Sequence, residues 1–340
     1  MNPIVSIANR INTPCKKNKY KILTYATHES YQTALAETGH EFLLLRRQGA
    51  KEWETKYKPL PKNTYVLDRI SDTEYDIDFI LSHERFGQLQ ISKQISTALR
   101  LPIVHIEHIE PQTNNWSEEY FNQLKSVKAD INVFITAHNK NSWGCESGVV
   151  VKHGIRTNLF SGWNPDLLTS HKYVLYIVNW LEQRDQFCGY SEWMYVKNKV
   201  ESLDPTIKFV LIGDNPGISQ PVSNELDLVK AINACSCYVN TSRLSPVPMS
   251  LMEAMSCGAP CVSTAKQEIP KIMSNENICT NDLDAMCDQI IKICNDKEYA
   301  SMIGNFCRSR IVENYNMDSF VESWNSVFDS AYKLKLENTI

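Results

Sequence analysis

The chain has 340 residues, more than one hydrophobic core usually serves, so two domains of ordinary size are expected. With 43% hydrophobic and 22% charged residues and a net charge of −4, the composition excludes a disordered or membrane-spanning protein. The charge is uneven: residues 1–156 hold 20 basic against 17 acidic side chains and the rest hold 15 against 22, a bias that suits an anionic partner on the N-terminal half but is too small to argue nucleic-acid binding.

No apolar run approaches the roughly 20 residues of a membrane helix, and Met1 to Tyr20 is polar and basic without the apolar stretch of a secretory signal. A cytoplasmic protein is the expectation. The 11 cysteines are scattered, many in apolar segments such as Cys235, Cys237, Cys257, Cys261 and Cys294, with no Cys-x-x-Cys pair and no Cys/His spacing suited to zinc. Buried free thiols and no bound metal are expected.

In chain order, the first strand candidate is Lys21–Ala26, followed by a helix over Glu29–Thr38 that ends at Gly39, a residue suited to a left-handed cap. Glu41–Leu45, Phe79–Ser82, Ile103–Glu107, Val133–Thr136 and Val149–Lys152 follow as strands. After a turn at Trp163-Asn-Pro-Asp166 the pattern restarts, with strands at Tyr173–Val178, Lys208–Ile212, Cys237–Asn240 and Cys261–Ser263. Helices are expected at Gly189–Leu203, Leu226–Ala234, Ser250–Ser256, Asn281–Asn295 and Lys297–Asn314. The last stretch, Met317–Leu334, carries Phe320, Trp324, Phe328 and Tyr332 at spacings of four, an aromatic stripe that must pack on something. Alternating short strands and helices mean α/β architecture with parallel sheets. Two Rossmann-like domains facing across a cleft are expected, over residues 1–160 and 161–316, with 317–340 crossing back to the first.

The most informative segment is Tyr238-Val-Asn-Thr-Ser-Arg-Leu-Ser245-Pro-Val-Pro-Met249-Ser250-Leu-Met-Glu253-Ala-Met-Ser-Cys-Gly258-Ala-Pro260-Cys-Val-Ser-Thr264. It reads as a buried strand, a Ser/Pro-rich loop, a short helix, a Gly-x-Pro turn and another strand. Such a loop brings backbone N–H groups and a positive helix end to the sheet edge, where phosphate oxygens are favoured. Ser250 is placed to cap the helix or bind phosphate, and Glu253 to reach a ribose diol one turn in. An ordinary capped helix with a solvated Glu253 is the competing reading.

This segment resembles the donor motif of retaining GT-B glycosyltransferases, in particular glycosyltransferase family 4, where Glu-x7-Glu is followed by Ala-Met-Ala-x-Gly-x-Pro-Val. Glu253 to Pro260 matches the second half. In the first half Ser245 stands where the family has a Glu that holds donor-sugar hydroxyls, and Pro246 and Pro248 replace glycines, which fits a subgroup with Ser-Pro-x-Pro in this loop. Three more matches follow the family's order: Val150-Val-Lys-His-Gly-Ile-Arg156 at the domain crossover, Lys208-Phe-Val-Leu-Ile-Gly213-Asp214 facing the donor, and Asn179-Trp-Leu-Glu-Gln-Arg184 in the loop that clamps the diphosphate. There Arg184 aligns with the second of two family cations and Asn179 replaces the first. Together the matches cover about half the chain.

The resemblance implies a nucleotide-diphosphate sugar as donor, no cofactor and no metal, so that leaving-group charge falls to Arg, Lys and N–H dipoles. Gly213, Asp214, Ser245, Met249, Ser250 and Glu253 are the implied donor contacts, with Arg184 and Glu253 at the chemistry. In Leu101-Pro-Ile-Val-His105-Ile-Glu-His108, His108 ends a strand where the family places a histidine over the donor sugar. His105, three residues earlier, points to the opposite strand face, so one of the two reaches the ligand. Thr27-His28-Glu29 replaces the family's glycine-rich loop and suggests an acceptor contact. Ser82-His83-Glu-Arg-Phe-Gly87 is a further strand-end loop that suits the same site or a plain polar turn.

No Gly-x-Gly-x-x-Gly follows a strand and no P-loop lysine is present, which disfavours dehydrogenases and nucleotide hydrolases. A sugar-nucleotide epimerase of the same shape and a catalytically inactive binding or scaffold protein are the alternatives. The acceptor stays open among glycans, lipids, proteins, small molecules and nucleic acids.

Overall fold

The structure, a computed structural model, describes residues 17–47, 49–72, 76–111, 115–167, 172–245 and 247–338. The chain forms two compact units, one of residues 1–134, 145–149 and 321–340, the other of residues 135–144 and 150–320.

The first unit holds β1 (Lys21–Thr24), α1 (Glu29–Ala36), β2 (Glu41–Leu45), β3 (Thr64–Leu67), β4 (Phe79–Ser82), α2 (Gln88–Leu99), β5 (Ile103–Glu107), α3 (Glu118–Ser126) and β6 (Ile131–Phe134). With β7 (Val149–Val150) these strands make a seven-stranded sheet in the order 3-2-1-4-5-6-7, parallel from β3 through β6. Strands buried on both faces must be apolar throughout, which is why Phe42, Phe79, Ile80, Val104 and Val133 are all fully enclosed. Chain order reverses between β1 and β4, so the loops leaving those strands diverge and open a crevice at their carboxyl ends.

Sequence pattern located all of these strands except β3, a four-residue edge strand paired only to β2, with Tyr65 and Val66 turned outward. The strand expected at Val133–Thr136 sits at Ile131–Phe134 instead. Its continuation is taken by Thr136, whose hydroxyl accepts from the Asn139 N–H and caps the next helix.

The second unit holds α4 (Ala137–Ser142), β8 (Lys172–Ile177), α5 (Asp185–Cys188), α6 (Tyr190–Leu203), β9 (Ile207–Ile212), α7 (Glu225–Ala234), β10 (Cys237–Asn240), α8 (Met249–Cys257), β11 (Cys261–Ser263), α9 (Ile269–Met273), α10 (Leu283–Asn295) and α11 (Lys297–Asn314). Its four-stranded parallel sheet runs 11-10-8-9, so the reversal lies between β8 and β10. Both sheets are thus parallel with helical crossovers, the expected α/β class.

The last helix, α12 (Met317–Glu337), accounts for the aromatic stripe. In the second unit Phe320 packs on Gly154, where any Cβ would lie 2.5 Å from its own Cβ. In the first unit the Trp324 indole N–H donates to the Tyr31 hydroxyl at 3.1 Å, and Phe328 lies 5.4 Å from Phe79 between ring centroids. Below them Asp78, wholly buried, is held by the ammonium groups of Lys17 at 2.8 Å and Lys335 at 3.0 Å, as a buried carboxylate requires.

Candidate functional site

At the carboxyl ends of β8, β9 and β10 three loops are bound to one another. Asn179 accepts the Asp214 N–H on its Oδ1 at 2.8 Å, and the Trp180 N–H donates back to the Asp214 carbonyl at 2.9 Å. Asn215 receives the Leu181 N–H on Oδ1 and donates through Nδ2 to the Val178 carbonyl. Gly213 is needed for this closeness: its φ is +133°, and a Cβ would stand 2.1 Å from the Val178 oxygen. Asn179, at the position of a family cation, therefore ties the β8 loop to the β9 turn. Trp180 is held at φ +57°, a left-handed conformation uncommon for an aromatic residue, with its indole partly exposed.

Arg184 closes the same loop. Its N–H donates to the Trp180 carbonyl, its own carbonyl accepts from Phe187 and Cys188, and its exposed guanidinium stands 5.7 Å from the Phe187 ring centre. A second cation escaped the sequence reading although it lies inside the donor segment. Arg243 follows β10 and is bound to Glu192 at 2.6 Å and Asp185 at 3.5 Å; the bond to Glu192 and these two charges raise its already high pKa. Its charge is thus neutralised locally, whereas Arg184 offers its own outward.

The helix of the donor segment starts one residue earlier than expected, at Met249, with Pro248 in the capping position. Ser250 does not cap it. Its hydroxyl accepts from Tyr238 at 2.9 Å and donates to the Ile177 carbonyl at 3.0 Å, which pins the helix start to β8 and β10 and spends the proton a phosphate would need. Helix geometry leaves the N–H groups of Met249, Ser250 and Leu251 without intrahelical acceptors, and these are the donors the first turn provides. Ser245 lies half-buried in the preceding loop, while Pro246 falls outside the described residues. Glu253 is buried, so the solvated alternative does not hold. Gly258 ends α8 at φ +90°, and its carbonyl leaves no room for a Cβ on Gly304 of α11. The Gly258-Ala-Pro260 turn thereby fits against α11 and returns the chain to β11.

The first unit gathers histidines at its own reversal point. His83 Nδ1 lies 3.0 Å from His108 Nε2. The His28 and Tyr31 rings stand 4.5 and 4.7 Å from the His108 ring, both edge-on. Burial, with His28 and His105 nearby, pushes the His83 pKa down to about 3. His105 is fully enclosed between Ser82 at 3.3 Å and Glu107 at 3.4 Å, and burial lowers its pKa as well. It belongs to the wall of this loop cluster and has no surface with which to touch an acceptor, unlike the half-buried His108. Arg85, against Glu107 at 2.6 Å, completes that wall.

Of the remaining residues expected on the acceptor side, His28 is exposed at the start of α1, Thr27 accepts the Gln88 amide at 2.8 Å, and Glu29 is committed to Lys51 at 2.8 Å. The sequence marked the loop of His83 but not its bond to His108.

Residues 191–296 match the family model described as glycosyl transferases group 1. Among curated proteins, the chain is 27% identical over 82 residues to N-acetyl-alpha-D-glucosaminyl L-malate synthase of Bacillus anthracis, covering 23% of this chain and 22% of that protein. It is 28% identical over 106 residues to poly(ribitol-phosphate) alpha-N-acetylglucosaminyltransferase of Staphylococcus aureus, covering 30% and 22%. The chain thus spans about a fifth of the length of these relatives. Among solved structures, Anabaena HepE in complex with UDP and glucose superposes with a TM-score of 0.73 at 13% identity, covering 92% of this chain and 100% of that one. Sucrose-phosphate synthase of Thermosynechococcus elongatus gives 0.70 at 14% identity, covering 93% and 100%. The fold is that of the GT-B glycosyltransferases, and the second unit carries the group 1 sequence pattern.

Proposed function

We propose that this protein is a glycosyltransferase that moves a sugar from a nucleoside-diphosphate donor to a hydroxyl acceptor, with retention of configuration and without a bound metal. The observation that carries the reading is the end of the second sheet, where the first-turn N–H groups of α8 and the buried Glu253 lie on the segment with the group 1 pattern and the exposed Arg184 lies on the loop that follows β8, ahead of that segment. UDP is the nucleotide to try first, because the similar HepE structure holds it.

In this reading the α8 N–H groups and Arg184 take up the charge that develops as the diphosphate leaves. Glu253 accepts hydrogen bonds from hydroxyls of the donor, and Ser245 offers the sugar a hydroxyl where related enzymes have a carboxylate. The departing phosphate oxygen takes the acceptor proton, so no protein base is needed. Trp180, exposed on the same loop as Arg184, adds an aromatic face. The substitutions at Ser245 and Asn179 favour a second reading, a binding protein that has lost turnover.

A panel of nucleotide sugars incubated with the full chain separates these readings. Release of nucleoside diphosphate from one donor, unaffected by chelator, is expected. Binding without release would identify the inactive protein, and epimerised donor without acceptor would identify an epimerase.

A further inference from the structure

The six residues after β2 carry three cations, and two of them are spent. Arg46, exposed, is paired to Asp68 at 2.9 Å and Glu52 at 3.8 Å, and Lys51 to Glu29 at 2.8 Å. Arg47 is different. It is half-buried, its guanidinium carbon stands 5.3 Å from the centre of the Tyr25 ring, and it makes no hydrogen bond or ion pair with any described residue. Tyr25 is a fixed support, since its side chain is buried and its hydroxyl lies 2.9 Å from the Ser92 hydroxyl of α2. Gly87, at φ +97°, also comes close: a Cβ there would stand 3.8 Å from Arg47 Nη1.

The matching anion is Glu84, half-buried two residues past β4. The buried Gln88 fixes it. The Gln88 amide nitrogen donates to Glu84 Oε2 at 3.2 Å and to Thr27 Oγ1 at 2.8 Å, and its oxygen accepts the His83 N–H at 3.1 Å. Glu84 Oε1 makes no hydrogen bond to any described residue. Burial raises the Glu84 pKa, the Arg47 charge draws it back and Glu107 pushes it up. Arg47 is thus near enough for Glu84 to feel its charge and too far to pair with it. Such a cation and carboxylate each lose water without the attraction that a direct bridge would give. Because β2, β1 and β4 are parallel neighbours, all these groups rise from one edge of the sheet, at its reversal point.

We infer that Arg47 and Glu84 form an acceptor subsite for a molecule that carries an anionic group, carboxylate or phosphate, and a neighbouring hydroxyl. Arg47 presents its planar N–H fork to the anionic group, a match that two parallel hydrogen bonds complete. Glu84 Oε1 accepts the hydroxyl, and Gln88 holds the carboxylate in place. The small basic excess of the N-terminal half suits the same class of partner. A neutral polyol meets only half of this subsite. That the occupant is the acceptor rests on the glycosyl-transfer reading, whereas the binding of an anionic hydroxyl compound does not.

Glycerate and glycerol 3-phosphate carry both groups, glycerol lacks the charge, and acetate and inorganic phosphate lack the hydroxyl. Titrations of the 15N-labelled full chain, followed through its backbone and arginine N–H signals, should show glycerate or glycerol 3-phosphate bound at least about tenfold more tightly than glycerol. The tighter of the two names the anionic group. Arg47→Gln should weaken that probe about 10- to 100-fold, Arg47→Lys by less, and Arg46→Gln by less than about twofold. Glu84→Met should weaken the same probe about tenfold and leave acetate or inorganic phosphate as tight or tighter. Glycerol bound as well as the anions, no anion bound, or anion binding unchanged in a folded Arg47→Gln protein overturns the inference. Equal weakening of the probes with and without a hydroxyl by Glu84→Met overturns it as well. Anion binding in a chain that releases no nucleoside diphosphate from any donor contradicts the function proposed above and leaves the subsite standing. Donor turnover without anion binding does the reverse.

Discussion

The two units use the same topological device, a parallel sheet whose strand order reverses, and furnish its crevice in opposite ways. In the second unit the crevice is built from backbone. Asn179, Asn215 and Ser250 spend their side chains on holding loops and a helix start together, which leaves peptide N–H dipoles and the exposed Arg184 to meet an anionic group. In the first unit it is built from rings: His83, His108, His28 and Tyr31 contact one another over buried ion pairs. A backbone cradle recognises a charge that every donor of one class shares. A cluster of weakly basic rings recognises individual oxygens and responds to protonation.

The sharpest break between the units should come from the charged residues of the second. Arg184→Ala is expected to lower kcat about 10²- to 10³-fold with an unchanged melting temperature, because its guanidinium is exposed. Glu253→Gln should do the same while keeping the volume of a buried side chain. Wild-type turnover in either would remove that residue from the site.

Next come packing changes, which should separate the units in hydrogen exchange. Trp324→Ala empties a fully enclosed space in the first unit and should cost about 3–5 kcal/mol, exposing β1, β2 and β4 first. Gly213→Ala should cost about 2–4 kcal/mol through the Val178 clash and its positive φ, and loosen the β8 and β9 loops while the first unit keeps its protection. Equal loss of protection in both units after either change would show that they do not unfold separately.

The smallest effect is the dependence on pH. His83 is neutral when folded down to about pH 3 and takes up a proton near pH 6.5 when unfolded. The unfolded state therefore binds more protons in that window, so the stabilisation is complete above pH 6.5 and is lost as the pH falls. Each such histidine contributes at most about 1.4 kcal/mol per pH unit. His105 and His40, also lowered by burial, act in the same direction. Urea melts followed at pH 7 and pH 5 should show the first unit weakening more than the second, and His83→Asn should flatten the difference.

Much of this was legible in the chain. The bounds of α11 and of five strands coincide with the apolar pattern, since a parallel strand buried on both faces must read as a short apolar run. The donor segment was visible because Glu253, Gly258 and Pro260 hold a fixed spacing on one local helix and turn. The start of α8 was less so: Ser250 is a preferred capping residue by type, but its hydroxyl is captured by Ile177, 73 positions away. β3 was missed because an edge strand with one neighbour and two outward residues gives little periodic signal.

By itself the sequence determined the α/β class, the two sheets and the segment that carries the donor pattern, because periodicity and motif spacing act within one or two elements. The tertiary structure decided which side chains are spent and which remain available. His83 and His108 are 25 residues apart, and Asn179 and Asp214 are 35 apart. Whether a hydroxyl caps a helix, an asparagine binds a ligand or an imidazole keeps its proton depends on partners that only the sheet register brings within 3 Å, and on the loss of water around them.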